Sequence, residues 1–147
     1  MEGSTANQRS TPAPLTGRFR RRRGAKALVT SGRRVLLVRE RHADGTPFWT
    51  LPGGGVEHHE CPRAGLAREL DEELCCRARV ADSRTSFWYA HRSCDSTVTR
   101  YTVYDCSLLE TPTPNGAEGI EAARWVDPAD PPTCTLPQVR GLCRSLV

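Results

Sequence analysis

The alternation of apolar and polar positions divides the chain into short β-prone runs and two helical stretches. Ala27-Leu28-Val29 and Val35-Leu36-Leu37-Val38 flank the turn signal Ser31-Gly32-Arg33, which predicts a hairpin. Asp44-Gly45 marks a second turn, and Phe48-Trp49-Thr50-Leu51 reads as a short strand running into Pro52-Gly53-Gly54-Gly55. Three glycines in a row argue against regular structure there, while permitting close backbone approach. Pro62 suits the first turn of a helix, and Arg63 to Leu74 is rich in helix formers. Leu66, Leu70 and Leu74 recur every four residues and predict the stripe that faces the core. Residues 84–92 and 97–109, rich in Ser, Thr, Val and aromatics, predict a long antiparallel pair turning at Cys94-Asp95-Ser96. Thr111 to Ala117 reads as a Pro/Gly loop, Ile120 to Val126 as a last strand, and Leu136 to Leu146 as a closing helix. Strands and helices alternate without repeats, so the predicted class is mixed α/β.

Composition narrows this to one domain, because 147 residues with 37% hydrophobic content support a single modest core. Residues 1–24 are rich in Pro, Thr, Ser, Gly and Arg without hydrophobic periodicity and predict a disordered basic N-terminal arm, followed by a domain over 25–147. No apolar run approaches the roughly 20 residues a transmembrane helix needs, and the polar N-terminus lacks a secretory core. A cytoplasmic protein that makes no membrane contact is therefore expected. Seven cysteines form an odd set with no CxxC pair, which suggests neither a zinc site nor a disulfide framework. The net charge of +4 owes much to the run Arg18-Phe19-Arg20-Arg21-Arg22-Arg23. Such a run attracts polyanions, yet with one aromatic beside a Ser/Thr/Pro tail it reads as a solvated arm, and nucleic acid is not expected as a partner.

The chemistry concentrates between Gly54 and Cys76. At roughly 100° per residue, Glu69, Glu72 and Glu73 occupy one face of the predicted helix. Carboxylates so close repel one another unless a divalent cation with oxygen preference sits among them, and Mg2+ or Mn2+ fits best. An isolated E-x-x-E-E is more often a solvated helix face. The glycine loop upstream changes the balance, because its backbone can reach a metal or phosphate that the helix addresses from the other side.

This segment resembles the Nudix box, G-x5-E-x7-R-E-U-x-E-E-x-G-U, where U is a bulky aliphatic residue. Gly54, Glu60, Arg68, Glu69, Leu70, Glu72 and Glu73 match across 23 residues with both spacers intact. The flanks Trp49 to Glu57 and Arg124-Trp125-Val126 also resemble the family's, so the similarity covers most of residues 25 to 127. Cys75 stands where the family has glycine and Cys76 where it has an aliphatic residue. Cys75 must therefore adopt the left-handed cap conformation at some cost, or the helix must end differently. A redox switch or soft-metal site at Cys75 and Cys76 is the minor alternative.

The resemblance implies a Nudix fold, a mixed β-sheet sandwiched between helices (α/β/α), and a metal-dependent hydrolase of a pyrophosphate linkage in a nucleoside diphosphate linked to another moiety. Nucleoside triphosphates, nucleotide sugars and related compounds all qualify, with a lean to the first. The implied metal ligands are Glu69, Glu72, Glu73 and the Gly53 carbonyl. Glu72, Glu73 and Arg68 are the catalytic candidates, with Arg68 on a different side of the helix and paired to Glu60. Gly54, Gly55 and Glu57 are candidates for contacting substrate, and Glu118 and Glu121 for a general base or extra ligand besides Glu72. Pairing with a second copy of the chain is left open. The alternative is a catalytically weak Nudix-like domain that senses a nucleotide or binds RNA through its arginine arm.

Overall fold

The computed structural model describes residues 20–91 and 96–147. Residues 1–19, most of the expected arm, and 92–95, most of the turn expected at Cys94-Asp95-Ser96, lie outside the described residues. Strands β1 (Arg20–Ser31), β2 (Arg34–Arg41), β3 (Pro47–Thr50) and β4 (Gly53–Gly55) precede helix α1 (Pro62–Leu74). Strands β5 (Ala78–Ala90) and β6 (Thr97–Leu108), a 3-10 turn (Gly116–Glu118), β7 (Ala122–Val126) and helix α2 (Pro137–Ser145) complete the fold.

The strands join in the order β3-β2-β1-β6-β5, with β4 added to β1 and β7 to β2. β1 is the hinge of the sheet. Its first part pairs in parallel with β6, its middle also takes β4 at Gly24–Lys26, and its last residues form the expected hairpin with β2. Apolar side chains of β2 are buried on both faces, which explains why Val35-Leu36-Leu37-Val38 reads as a continuous apolar run. Leu36 and Val38 join Leu66, Leu70 and Leu74 of α1 in one core, and Val35 and Leu37 join Val139 and Cys143 of α2 in the other. One helix thus covers each face, the α/β/α sandwich expected from the sequence. Among the described residues no helix is long and apolar enough to cross a membrane.

Two sequence expectations require correction. The boundary at 24/25 falls inside β1, because Arg20–Arg23 pair with Thr97–Arg100 of β6 although their side chains are exposed. The parallel ladder satisfies their backbone, which side-chain patterning does not report. Gly53–Gly55, expected to be irregular, forms β4. A Cβ on Gly53 would stand 2.2 Å from the Ala25 carbonyl oxygen, and φ there is 129°. Glycine is what lets this strand lie so close to β1, so here it permits pairing instead of preventing it.

Candidate active site at the glycine strand and the acidic helix

The Pro62 start and the leucine stripe of α1 behave as the sequence predicts: Leu66, Leu70 and Leu74 have no solvent exposure. Burying that stripe turns the carboxylates toward β4. α1 ends at Cys75, which takes φ 56° and ψ 35°, so the left-handed cap is adopted by a residue with a Cβ. The last carbonyls of α1 are met by the following loop. Thr113 N–H donates to Leu74 O and Asn115 N–H to Glu73 O, while Asn115 Nδ2 donates to Glu72 O at 2.8 Å. Asn115 was not singled out by sequence reasoning, yet it satisfies groups a helix end otherwise leaves orphaned.

The three box carboxylates are not equivalent. Glu73 is buried, and its Oε1 accepts the Gly53 N–H at 3.0 Å. Burial pushes its carboxyl up to about 8, against the opposing pull of Lys26 and the Gly53 amide. Glu69 lies over Gly54, where a Cβ would meet its Oε1 at 2.8 Å. Glu72 is the most open of the three, with its side chain 42% exposed. Arg68 binds them together. Its Nε and Nη2 grip Glu60 at 2.7 and 3.0 Å, and its Nη1 stands 3.1 Å from both Glu69 and Glu72. Arg68 therefore reaches the same side as the carboxylates instead of pointing away, because its long side chain folds across the helix surface. The expected partner Glu60 is in place, and hydrogen bonds from Arg68 and from the Glu57 amide hold its carboxyl down at about 2.

Of the glycines expected to contact substrate, Gly54 and Gly55 line up in β4 beside these groups. The backbone of Glu57 is engaged on both sides, its N–H by Glu60 and its carbonyl by Arg23, while its side chain is exposed. Glu121 is not brought to the helix. Arg39 and Arg41 of β2 hold it in ion pairs, and the Arg41 hydrogen bond in particular lowers its pKa, which makes it a weak base. Glu118 is exposed on the 3-10 turn that Asn115 ties to the end of α1. Cys76 is buried in the α1 core, and burial raises its thiol pKa, so it serves as a small hydrophobe.

Sequence reasoning missed Lys26. Its side chain is buried, and Nζ donates to the Gly53 carbonyl at 3.1 Å and lies 4.8 Å from the Tyr101 ring centroid. Burial works against its charge, but Tyr101, Glu40, Glu73 and Glu69 outweigh it and keep Lys26 protonated above its ordinary range. A charge interrupting the apolar run from Ala25 to Val29 was the available signal, since a fully buried lysine is rare without a partner. Gly53 is thus held at both polar atoms, amide to Glu73 and carbonyl to Lys26.

The donor set of Glu69, Glu72, Glu73 and the Gly53 carbonyl consists of hard oxygens suited to Mg2+ or Mn2+. Among the described residues, no three His, Cys, Asp or Glu side chains already converge as a metal cage. Arg68 occupies the space between Glu69 and Glu72 as the compensating cation. A Gly53 carbonyl bonded to Lys26 keeps a second lone pair, so the set remains chemically compatible with a cation.

Comparison with known proteins agrees with this architecture. Solved structures with the same fold include a MutT Nudix hydrolase from Burkholderia pseudomallei (TM-score 0.75, 23% identity, covering 87% of this chain and 99% of that one). A MutT protein from Methanosarcina mazei matches with TM-score 0.70 and 20% identity, over 87% of this chain and 94% of that one. An ADP-ribose pyrophosphatase from Streptococcus suis gives TM-score 0.61 and 20% identity, over 84% and 90%. In sequence, an RNA pyrophosphohydrolase from Saccharophagus degradans is 42% identical over 45 residues. That match spans 30% of this chain and only 26% of the relative's length. A sequence model of the NUDIX domain matches residues 20–141, from the first residue of β1 into α2, and by that match this chain belongs to the Nudix hydrolase family.

Proposed function

We propose that this chain hydrolyses a pyrophosphate linkage in a nucleoside diphosphate linked to another moiety, with nucleoside triphosphates the favoured class, using Mg2+ or Mn2+. The observation that carries this is the joint between β4 and α1, where Glu73 and Lys26 hold the two polar atoms of Gly53 while Arg68 gathers Glu60, Glu69 and Glu72. Glu69, Glu72, Glu73 and the Gly53 carbonyl would hold the metal, which when bound neutralises phosphate charge and lowers the pKa of water.

The chain's own groups have distinct tasks. Glu73, buried and bonded to the Gly53 amide, fixes the glycine strand against the helix. Gly54 and Gly55, lacking side chains, let the diphosphate approach the backbone. Glu72, the most exposed carboxylate, accepts the proton from the attacking water as its oxygen bonds to phosphorus and the bridging P–O bond breaks, the leaving phosphate departing with the bond's electron pair. Arg68 is a positioning residue that sets the orientation of Glu69 and Glu72 while anchored on Glu60. With Glu121 committed to two arginines, Glu72 fits the base role better than Glu121.

The test is incubation of the pure protein with a panel of nucleoside triphosphates and nucleotide sugars with and without Mg2+ or Mn2+, with Glu73→Gln as control. Metal-dependent release of phosphate or nucleotide that Glu73→Gln lowers about 100-fold or more is expected. No metal-dependent release from any member of the panel refutes the proposal.

A second reading, an RNA-binding role, is favoured by one surface feature. Arg23, Arg100 and Trp88 sit in one register row across β1, β6 and β5, and Trp88 is 47% exposed, which suits base stacking beside phosphate contacts. Replacing Arg21, Arg23 and Arg100 with serine and measuring affinity for a short single-stranded RNA at several salt concentrations tests it. A salt slope reduced by about 2 is expected of three phosphate contacts to a single strand, and an unchanged slope rejects them.

A further inference from the structure

Beside the carboxylate site lies a cavity of about 190 Å3 whose lining comes from β1, β2, β3, β5 and β6. This is below the roughly 300–1,000 Å3 that encloses a whole drug-sized ligand, so it takes one ring system and leaves any attached phosphates outside. Its walls include Phe48, Phe87, Tyr89 and Tyr101, surfaces for a planar ring. At the rim the polar atoms are already engaged: Tyr89 Oη lies 3.4 Å from His42 Nδ1, and His91 Nε2 lies 2.7 Å from Thr99 Oγ1.

The other polar groups of the lining are Lys26, Thr50, Glu40 and Arg41, of which Arg41 is committed to the Glu121 carboxylate and the Gly45 carbonyl. Thr50 is 1% exposed, and its Oγ1 is the one buried side-chain polar atom among the described residues with no hydrogen-bond partner. Native proteins rarely leave such an atom unsatisfied, so a buried hydroxyl lining a cavity marks where a ligand atom completes it. The Lys26 ammonium has three donors, of which Gly53 takes one. It keeps donors for an acceptor on the cavity side, and the Glu40 carboxylate, which lines the same cavity, offers acceptor oxygens there. A lactam edge, a ring C=O beside a ring N–H, supplies the acceptor for Lys26 and the donor for Glu40. The adenine edge inverts this, placing an amino group where the ammonium stands and a ring lone pair where the carboxylate stands.

We infer that this cavity selects oxo-bases, so that the favoured substrates are nucleoside polyphosphates whose base carries a lactam edge, with Lys26, Thr50 and Glu40 as the specificity-determining residues. The inference rests on the reading that the neighbouring site takes a nucleoside diphosphate derivative.

Hypoxanthine and adenine have the same size and differ only along this edge. Binding of IMP and AMP to the metal-free protein is measured by calorimetry, and kcat/KM for ITP and ATP is measured with Mg2+. IMP is expected to bind at least tenfold more tightly than AMP, with kcat/KM favouring ITP by a similar factor carried mainly in KM. Lys26→Met is expected to bring the two nucleotides within about twofold of each other. Thr50→Val keeps shape and fold, and it is expected to weaken IMP about tenfold while raising the thermal midpoint, because an unsatisfied buried hydroxyl is removed. AMP binding as tightly as IMP, no binding of either, or Thr50→Val binding IMP as the unaltered protein does, each overturns the inference. Metal-dependent cleavage of ITP and ATP with equal kcat/KM overturns it while leaving the hydrolase proposal standing. Loss of all metal-dependent cleavage with the IMP preference intact supports the inference and removes the hydrolase proposal.

Discussion

Glu73→Gln in the metal-free protein separates what this residue does for function from what it does to stability. The carboxyl is buried against the Gly53 amide, and burial lifts its pKa from the ordinary 4.5 to about 8. The sign follows from proton counts. Between these values the folded state holds a proton that the unfolded chain has released, so Glu73's contribution to stability is full below about pH 4.5 and is lost as pH rises through about 8. At about 1.4 kcal/mol per pH unit this interval sets a ceiling of roughly 5 kcal/mol. Glutamine keeps the size and the acceptor for the Gly53 amide but never ionises. Urea unfolding in EDTA at pH 5 to 9 should show the unaltered protein losing a few kcal/mol across the window, about what the burial of one carboxylate costs. The variant should stay nearly level, matching the unaltered protein at pH 5 and exceeding it at pH 9. On the proposed mechanism the same substitution should also lower metal-dependent turnover about 100-fold or more, since it removes the charge of a proposed ligand. Parallel stability curves for the two proteins, or a variant less stable at pH 9, refute the account of Glu73 as a buried carboxylate under strain.

Substitutions at Cys75, Gly53 and Asn115, with controls at Cys75 and Gly45, probe the frame around the site. Cys75→Gly removes the Cβ penalty of the left-handed cap, about 1–2 kcal/mol, against about 0.4–1 kcal/mol of added unfolded-state entropy. A net gain of about 0.5–1 kcal/mol is expected in urea midpoints, with Cys75→Ala unchanged because the side chain is exposed. Gly53→Ala should cost more than about 3 kcal/mol, as its Cβ meets the β1 backbone at 2.2 Å. Gly45→Ala, with φ 89° but open space, should cost only the conformational strain of about 1 kcal/mol, and equal losses for the two would reject the close-contact argument. Asn115→Ala removes the bond to the Glu72 carbonyl and the one from Ala117 N–H, and should lower stability by about 1–3 kcal/mol in thermal or urea unfolding.

The sequence alone determined the parts of this protein whose signals are local. The leucine period of α1 established the buried stripe and hence the side on which the carboxylates stand, because a helix repeats every few residues whatever surrounds it. The apolar run Val35 to Val38 announced the strand β2, whose burial on both faces the structure then added. Glycine spacing and the E-x-x-E-E pattern located the joint of loop and helix, and the position of Cys75 located the strained cap. What depends on pairing between distant residues was decided by tertiary structure. Arg20–Arg23 are polar in every local sense and belong to β1 only because β6 supplies a parallel partner some 77 residues later, a count taken from the register Arg20 to Thr97. Three glycines look like a loop until a neighbouring strand gives them a ladder. Glu121 and Glu72 are both acids near a candidate site, yet only the fold shows one locked to two arginines and the other open to solvent. Lys26, Thr50 and Glu40 come from three different strands, so their convergence on one cavity was fixed by strand order and register, which side-chain patterning along a single chain does not encode.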